Sequence, residues 1–192
     1  MKQFGISESF IEIYDNVLTK KECDIVISQF EKCDKIREGG LSKEGHFTIN
    51  REYKQCLEFP DLKFSDGDII SNIVKKGLLE CMSQYKKKYS GLYYISKWSY
   101  NNKYNFQKYE TKEDGFKSWH SEHGPGLSSH RMLAWMIYLN NAKSGTEFMY
   151  HSNVNAKRGR CVIWPSGFTH CHRGAPNKGL KYIVTGWVSF DK

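Results

Sequence analysis

Hydrophobic residues recur at helical spacing soon after the start of the chain. Cys23, Val26 and Phe30 lie on one side of a helix that follows Thr19. The stretch Thr19-Lys-Lys-Glu22 has the form of a capping box, in which the N-cap hydroxyl and the third helical carboxylate satisfy free backbone N–H groups. The pattern predicts a helix of about four turns that ends near Cys33.

A second amphipathic stretch predicts a longer helix from about Ser65-Asp66 to about Tyr89. Its apolar face consists of Ile70, Ile73, Val74, Leu78, Cys81, Met82 and Tyr85. The segment between the two helices, from Asp34 to Pro60, is polar and has little periodicity. We therefore expect a long loop there with one short strand, and long loops of this kind often act as lids over a site.

The second half of the chain has a different pattern, with short aromatic and β-branched runs separated by turn residues. Examples are "RMLAWMIYL" before Asn140-Asn141 and "KYIVTGWVSF" near the end. Runs of this length and spacing predict a β-sandwich or barrel. The expected fold is therefore mainly β with N-terminal helices. We expect a single domain over residues 1–192, with helical support and the lid loop in residues 1–90 and the β core in residues 91–192.

Composition adds limits rather than a function. The net charge of +8 allows attraction to acidic partners, but the lysines are dispersed and the densest run, residues 86–88, closes the second helix. No apolar run is long enough to cross a bilayer, and the start "MKQFGISESF" lacks the core of a signal peptide, so we expect a cytoplasmic protein. The six cysteines form no CxxC pair, which argues against a disulfide framework or a structural zinc site.

The stretch "KSWHSEHG" holds the most suggestive chemistry. In a strand, His120 and Glu122 would project to the same side and His123 to the opposite side, so the first two form a possible ligand pair. A third ligand is available downstream at His170 or His172. Two histidines and a carboxylate with open positions form the facial triad of non-haem Fe(II) oxygenases.

Such enzymes commonly use 2-oxoglutarate, whose far carboxylate needs a buried cation. Lys181 begins a predicted strand, and Thr185 shares its face as a possible hydroxyl donor.

Five motifs in order give this region a family resemblance. They are His120-Ser-Glu122, Tyr138-Leu-Asn140, Ser144-Gly-Thr-Glu-Phe148, His172-Arg-Gly-Ala-Pro176 and Lys181. The stretch from about Tyr104 to Phe190 resembles the catalytic core of the prolyl 4-hydroxylase group of Fe(II)/2-oxoglutarate dioxygenases, including small phage and bacterial members. The resemblance implies a double-stranded β-helix, or jelly roll, with the N-terminal helices against one sheet.

The resemblance also implies roles for individual residues. It selects His172 over His170 as the distal ligand, because the family histidine precedes a proline by four positions. His120, Glu122 and His172 would then bind Fe(II). Lys181, Tyr138 and Thr185 would hold 2-oxoglutarate, Tyr109 would line the cosubstrate or substrate pocket, and Trp187 would lie near the metal ligands. Most family members have aspartate where this chain has Glu122, whose longer side chain must fold back to reach iron.

The implied reaction is hydroxylation of a C–H bond, with O2 and 2-oxoglutarate consumed and succinate and carbon dioxide released. The leading substrate is a prolyl residue of a peptide or protein, and ascorbate is a candidate additional cofactor. Two other functions stay open: an oxygenase that acts on nucleic acid or a small molecule, and a noncatalytic jelly-roll module that binds metal. Arg131 and Arg173 fit either a rim that meets an acidic substrate or ordinary solvated surface.

Overall fold

The computed structural model describes residues 8–43, 46–65, 67–95 and 97–191. Residue 66, part of the predicted start of the second helix, lies outside these ranges, as do residues 1–7 of "MKQFGISESF". The α-helices are α1 (Lys20–Glu31) and α2 (Ile69–Lys88). The strands are β1 (Glu12–Tyr14), β2 (Arg37–Glu38), β3 (Leu41–Lys43), β4 (His46–Thr48), β5 (Lys54–Gln55), β6 (Leu57–Lys63), β7 (Trp98–Tyr109), β8 (Gly115–Phe116), β9 (Arg131–Tyr138), β10 (Thr146–Phe148), β11 (Arg160–Pro165), β12 (His172–Gly174) and β13 (Lys181–Phe190).

Both helices begin at a side-chain cap. At α1 the Thr19 hydroxyl accepts from the backbone N–H of Glu22, and the Glu22 carboxylate accepts from the backbone N–H of Thr19, which confirms the predicted capping box. At α2 the cap is Asp68, whose carboxylate accepts from the N–H of Ser71. The second helix therefore begins a few residues later than predicted, because Asp68 rather than Ser65 supplies the acceptor.

A seven-stranded antiparallel sheet forms the centre of the molecule, in the order β1-β11-β9-β13-β7-β6-β2. The last strand, β13, pairs with β9 on one side and with β7 on the other. Shorter pairs, β10 with β12 and β5 with β8, lie outside this sheet. Just before β10, a Cβ on Gly145 would lie 1.9 Å from the Val154 carbonyl oxygen, so only glycine fits there.

The two faces of this sheet contact different parts of the chain. One face packs against α1 and α2 through residues such as Val184, Val188 and Trp135, and we call it the helix face. The other face, which we call the inner face, carries the alternate residues and packs against the β10–β12 side through Tyr138, Phe148 and Trp164. These layers, together with the antiparallel sheet, confirm the predicted jelly-roll core with N-terminal helices.

The segment from Asp34 to Pro60 corrects the sequence prediction of a loop with one short strand. It holds the strands β2 to β5 and the first half of β6, and β6 joins the main sheet beside β7. The pairing of β6 with β7 is non-local, and its register shifts between Phe59 and Leu62, around Pro60. A local pattern cannot reveal such a partner, which lies more than forty residues downstream at positions such as Phe106.

Within the described residues, no helix has the length and apolar character needed to cross a membrane.

Candidate metal centre

Three possible ligands converge beside the inner face. One ligand atom from each of His120, Glu122 and His172 lies within 4.8 Å of the others. His172 is the first residue of β12, and His120 forms an isolated bridge with it through two backbone hydrogen bonds of 3.0 and 2.9 Å. The structure thus brings together the three residues that the sequence analysis selected, although Glu122 lies in an irregular segment and not in the strand we had assumed.

The two histidine rings are oriented by the backbone. Nδ1 of His120 lies 3.0 Å from the Ser118 carbonyl oxygen, and Nδ1 of His172 lies 2.9 Å from that of His170. A carbonyl can only accept, so each Nδ1 carries a proton, and in the neutral ring Nε2 keeps its lone pair for a ligand. These Nε2 atoms lie 3.8 and 3.5 Å from Oε1 of Glu122.

The donor set fits a non-haem iron. Two imidazole nitrogens with free lone pairs and one carboxylate oxygen meet at a single point, with the carbonyl contacts that commonly fix metal-binding histidines. Burial, together with the nearby His172, lowers the pKa of His120 to about 4. His120 is therefore neutral near pH 7, as a ligand must be.

Glu122 is held in its charged form. Burial by itself raises the pKa of this carboxyl, but its interactions with His172, His120 and the Arg131 guanidinium outweigh burial and hold the pKa well below its usual range. Oε1 points toward the histidines, while Oε2 accepts from Arg131 at 3.0 Å and from the Trp187 indole N–H at 2.8 Å. Arg131 is thus neither free at the rim nor simply solvated, the two possibilities that the sequence left open.

Aromatic rings enclose the histidines. The Phe116 ring stacks on that of His120, with centroids 3.7 Å apart and an angle of 17° between the planes. The Trp164 ring contacts the His172 ring edge-on, with centroids 5.0 Å apart. Sequence reasoning missed Phe116, because its position depends on the β5–β8 pair and not on any motif.

The four residues expected to hold the cosubstrate share the inner face with this centre. On β13, Lys181 and Thr185 alternate with residues of the helix face, while Tyr109 on β7 pairs directly with Lys181. Tyr138 on β9 pairs with Ile183, between Lys181 and Thr185. All four are buried, and their strand pairing puts them on one face of the sheet.

Lys181 differs from the other buried lysines, Lys54 and Lys108. Each of those forms an ion pair with a glutamate. Lys181 is only 3% exposed, and among the described residues it has no carboxylate partner; its Nζ lies 4.7 Å from the centre of the Tyr109 ring. Burial lowers its pKa from 10.5 to about 8.

The three hydroxyl groups are bonded within the protein. Tyr138 shares a 2.6 Å hydrogen bond with Thr146, Tyr109 donates to Gln107 at 2.7 Å, and Thr185 donates to the Trp135 carbonyl at 2.7 Å. Thr146 was not singled out from the sequence, although it stands in the small-residue motif that was. A Thr185 hydroxyl turned toward a ligand would have to give up its bond to Trp135.

The remaining histidines of the two motifs lie away from the cluster. His123 is exposed, with Nδ1 3.2 Å from the Arg131 carbonyl. His170 is buried, but its Nε2 lies 2.7 Å from the Ser9 carbonyl and its ring stacks on that of His151. His170 therefore ties the N-terminal segment to the chain before β12.

Comparison with known proteins agrees with this geometry. Residues 102–189 match the model of the 2OG-Fe(II) oxygenase superfamily, which confirms the predicted resemblance and the predicted class of Fe(II)/2-oxoglutarate-dependent dioxygenase. No curated protein matches the sequence.

Similar solved structures share the fold at low sequence identity. The viral collagen prolyl hydroxylase of Paramecium bursaria Chlorella virus-1 superposes with a TM-score of 0.69 at 16% identity, over 95% of this chain and 97% of its own. A Pseudomonas putida prolyl-4-hydroxylase gives 0.68 at 14% identity, over 96% and 94% of the two chains. A Trichoplax adhaerens prolyl hydroxylase, solved with a hypoxia inducible factor peptide fragment, gives 0.69 at 14% identity, over 95% and 84%.

Proposed function

With residues 102–189 placed in the 2OG-Fe(II) oxygenase superfamily, we propose that the protein hydroxylates a C–H bond of a peptide or protein in the manner of a prolyl 4-hydroxylase. His120, Glu122 and His172 hold Fe(II), and Lys181 binds the far carboxylate of 2-oxoglutarate. The observation that carries the proposal is the buried Lys181, without a carboxylate partner in the described chain, on the same inner face as the three ligands.

Lys181 argues for an anionic ligand on energetic grounds. Placing an ammonium group in a poorly hydrated interior is costly, and proteins normally offset the cost with a paired carboxylate. Here the offset must come from a bound molecule. A dicarboxylate such as 2-oxoglutarate supplies one carboxylate for this lysine and leaves the other end free to reach the metal.

Iron bound at this centre supplies the activation of oxygen, which is coupled to the decarboxylation of 2-oxoglutarate to succinate and carbon dioxide. The protein contributes position and environment. His120, Glu122 and His172 would hold the ion, and the Phe116 and Trp164 rings would shield the histidine side from water. Ascorbate enters the same proposal as an external reductant for the iron.

The hydroxyl groups near Lys181 form the rest of the cosubstrate site. Tyr138 and Thr146 share one hydrogen bond in which either oxygen can donate. If Thr146 donates in that bond, the Tyr138 proton is free for a carboxylate on Lys181. Thr185 joins them after rotation away from Trp135, and the Tyr109 ring closes the other side of the ammonium group.

A polypeptide substrate is supported by the surface beside the metal centre and by the named neighbours. Trp119, next to His120, is 38% exposed with the Arg173 guanidinium over its ring, and Tyr150, just after β10, and Phe168, shortly before β12, are exposed as well. Exposed aromatic groups are typical of protein-binding surfaces. The structures from the Chlorella virus, Pseudomonas and Trichoplax are all prolyl hydroxylases by name.

The test is an anaerobic titration of the protein with Fe(II) and 2-oxoglutarate, followed by the weak visible charge-transfer band of the chelate. The band should form with the wild type and be lost in His172→Ala and Lys181→Ala. Lys178→Ala, which removes an exposed lysine three residues away, is the matched control and should keep the band. A band of wild-type strength in the His172 variant would contradict the ligand assignment.

The substrate is tested separately with proline-containing peptides. Turnover should add the mass of one oxygen to a peptide and release succinate in equal amount. Iron-dependent succinate release that responds to oligonucleotides but to no peptide would overturn the substrate class while leaving the site intact.

A further inference from the structure

The oxygen of Glu122 that faces away from the histidines is unusually well bonded. Oε2 accepts from the Arg131 guanidinium at 3.0 Å and from the Trp187 indole N–H at 2.8 Å. Oε1 faces the two histidines at 3.5 and 3.8 Å instead. The two oxygens of one carboxylate are therefore assigned to different tasks before any metal is bound.

The two donors are themselves fixed on neighbouring strands of the main sheet. Arg131 begins β9 and Trp187 lies on β13, directly across from Ala134. The Arg131 guanidinium lies 3.6 Å over the Trp187 ring, so each side chain limits the movement of the other. Arg131 also donates to the Glu122 carbonyl at 3.3 Å, which holds the backbone of the ligand together with its side chain.

We infer that Arg131 and Trp187 are positioning residues that restrict Glu122 to binding the metal through Oε1 alone. The inference rests on the proposed function, in that Glu122 is taken to be a metal ligand. A chelating carboxylate would have to give up both hydrogen bonds to Oε2, one from a guanidinium cation and the other from a half-buried indole. Binding through one oxygen leaves the remaining positions of the ion to cosubstrate and oxygen.

The same pair explains why a glutamate suits this chain. A glutamate can extend from its irregular segment, direct one oxygen to the histidines and leave the other between Arg131 and Trp187. Aspartate is shorter by one carbon–carbon bond of about 1.5 Å, so it cannot reach both groups from the same backbone position. Glu122→Asp should thus lose the hydrogen bonds even if it still binds metal.

Manganese binding tests the inference without any turnover. Mn(II) affinity is measured by electron paramagnetic resonance of the free ion, in the absence of 2-oxoglutarate. Trp187→Phe keeps a ring under the guanidinium but removes the N–H, and Arg131→Lys keeps a charge but removes the planar fork. Each should weaken Mn(II) binding by about tenfold or more, the range seen when the partners of metal ligands are lost.

Matched controls use the same substitutions outside the metal centre. Trp98→Phe alters a tryptophan that packs on the helix face, the side of the sheet opposite to Trp187, and Arg158→Lys affects an exposed ion pair with Asp24. Both should leave Mn(II) affinity within about twofold of the wild type, because substitutions at independent sites have little effect on one another. Affinities of Trp187→Phe and Arg131→Lys within the same range would overturn the inference.

A double substitution separates positioning from general damage to the fold. In Glu122→Asp the hydrogen bonds are already lost, so adding Trp187→Phe should change Mn(II) affinity by less than about twofold. A full additional loss would mean that Trp187 acts on stability and not through Glu122. If Trp187→Phe does not fold, judged by thermal unfolding of the metal-free protein, Arg131→Lys alone decides.

The outcomes also distinguish this inference from the proposed function. If the wild type binds no Mn(II), or His172→Ala binds it as well as the wild type, the metal centre itself is wrong. If the metal centre behaves as proposed while both positioning variants bind normally, only the role of Arg131 and Trp187 fails.

Discussion

The two faces of strand β13 differ in what they bury. Toward the helices the strand presents Tyr182, Val184 and Val188, which pack against apolar side chains of α1, α2 and neighbouring strands. Toward the inner face it presents Lys181, Thr185 and Trp187. The Trp187 indole donates a hydrogen bond to Glu122 of the metal centre. One strand therefore supports folding on one side and chemistry on the other.

The difference shows that the inner face retains charged groups for function at a cost in stability, whereas the helix face contributes stability. The helix face follows the rule that apolar groups lie inside, and each of its residues adds to the free energy of unfolding. The inner face buries a charged lysine without a carboxylate partner in the described chain and a carboxylate next to two histidines. A substitution on the helix side should consequently lower stability and leave ligand binding unchanged. Replacing Lys181 on the inner face should weaken ligand binding and raise stability.

The largest effect is expected for Glu122→Ala, which removes a proposed ligand. Loss of residues that only support a ligand costs about 10- to 100-fold in metal affinity, so loss of the ligand itself should exceed about 100-fold and abolish succinate release driven by substrate. Mn(II) titration and a succinate assay measure the two losses. Asp24→Ala, which breaks an exposed ion pair with Arg158 on the helix side, is the control and should change neither. Retained coupled turnover in Glu122→Ala would rule out its role as ligand.

A smaller loss of function, with a gain in stability, is expected for Lys181→Met. Removing the cationic partner of a buried carboxylate should weaken 2-oxoglutarate binding by about 2 kcal/mol or more, which is about 30-fold in Kd. The metal-free protein should unfold at higher denaturant concentration, because a buried charge with no offset is replaced by an apolar chain of similar length. Anaerobic titration and urea unfolding provide the two measurements. A loss of stability in Lys181→Met would indicate that the ammonium is already compensated in the free protein.

The pH dependence of 2-oxoglutarate binding sharpens the same point. Lys181 has its pKa lowered to about 8, so in the free protein it is charged below this pH and neutral above it. Above pH 8 the protein must take up a proton to bind the dicarboxylate, and the affinity should fall by about tenfold per pH unit. The nearby Cys56 and Tyr109 do not titrate in this range, because burial raises the pKa of Cys56 to about 12 and that of Tyr109 well above its usual value.

The comparison between pH 7 and pH 9 is made anaerobically with Mn(II)-loaded protein. In Lys181→Arg the cation stays charged over the whole range, so whatever affinity that variant retains should not fall. An equal fall in both proteins would assign the pH effect to another group.

The comparison of the two faces also explains what the sequence could and could not predict. The helix face is encoded locally: helical spacing and the Thr19 capping box were sufficient for α1, and alternation was sufficient for β13. The three proposed ligands and Lys181 could be singled out because their residue types are rare in this order and match a known family.

The missed features depend on partners that are distant in the chain. Strand β6 pairs with β7 more than forty residues away, and Phe116 reaches His120 through a pairing of β8 with β5. The contacts of Arg131, which the sequence left as a rim group or a solvated residue, were missed for a similar reason. An arginine at the start of a strand is most simply solvated, and only the fold shows that Glu122 and Trp187 surround it.

The smallest effect is expected on the helix side, from Thr19→Ala. This change removes the hydroxyl of the capping box at α1 and should lower the free energy of unfolding by about 1 kcal/mol. Thr19 caps α1, which packs on the helix face opposite the inner face, so Mn(II) and 2-oxoglutarate affinities should stay within about twofold of the wild type. Urea unfolding and the anaerobic titration check the two halves of the prediction. A matched loss of ligand affinity would mean that the two faces of the sheet are coupled, and that stability on the helix side helps to set the geometry of the metal centre.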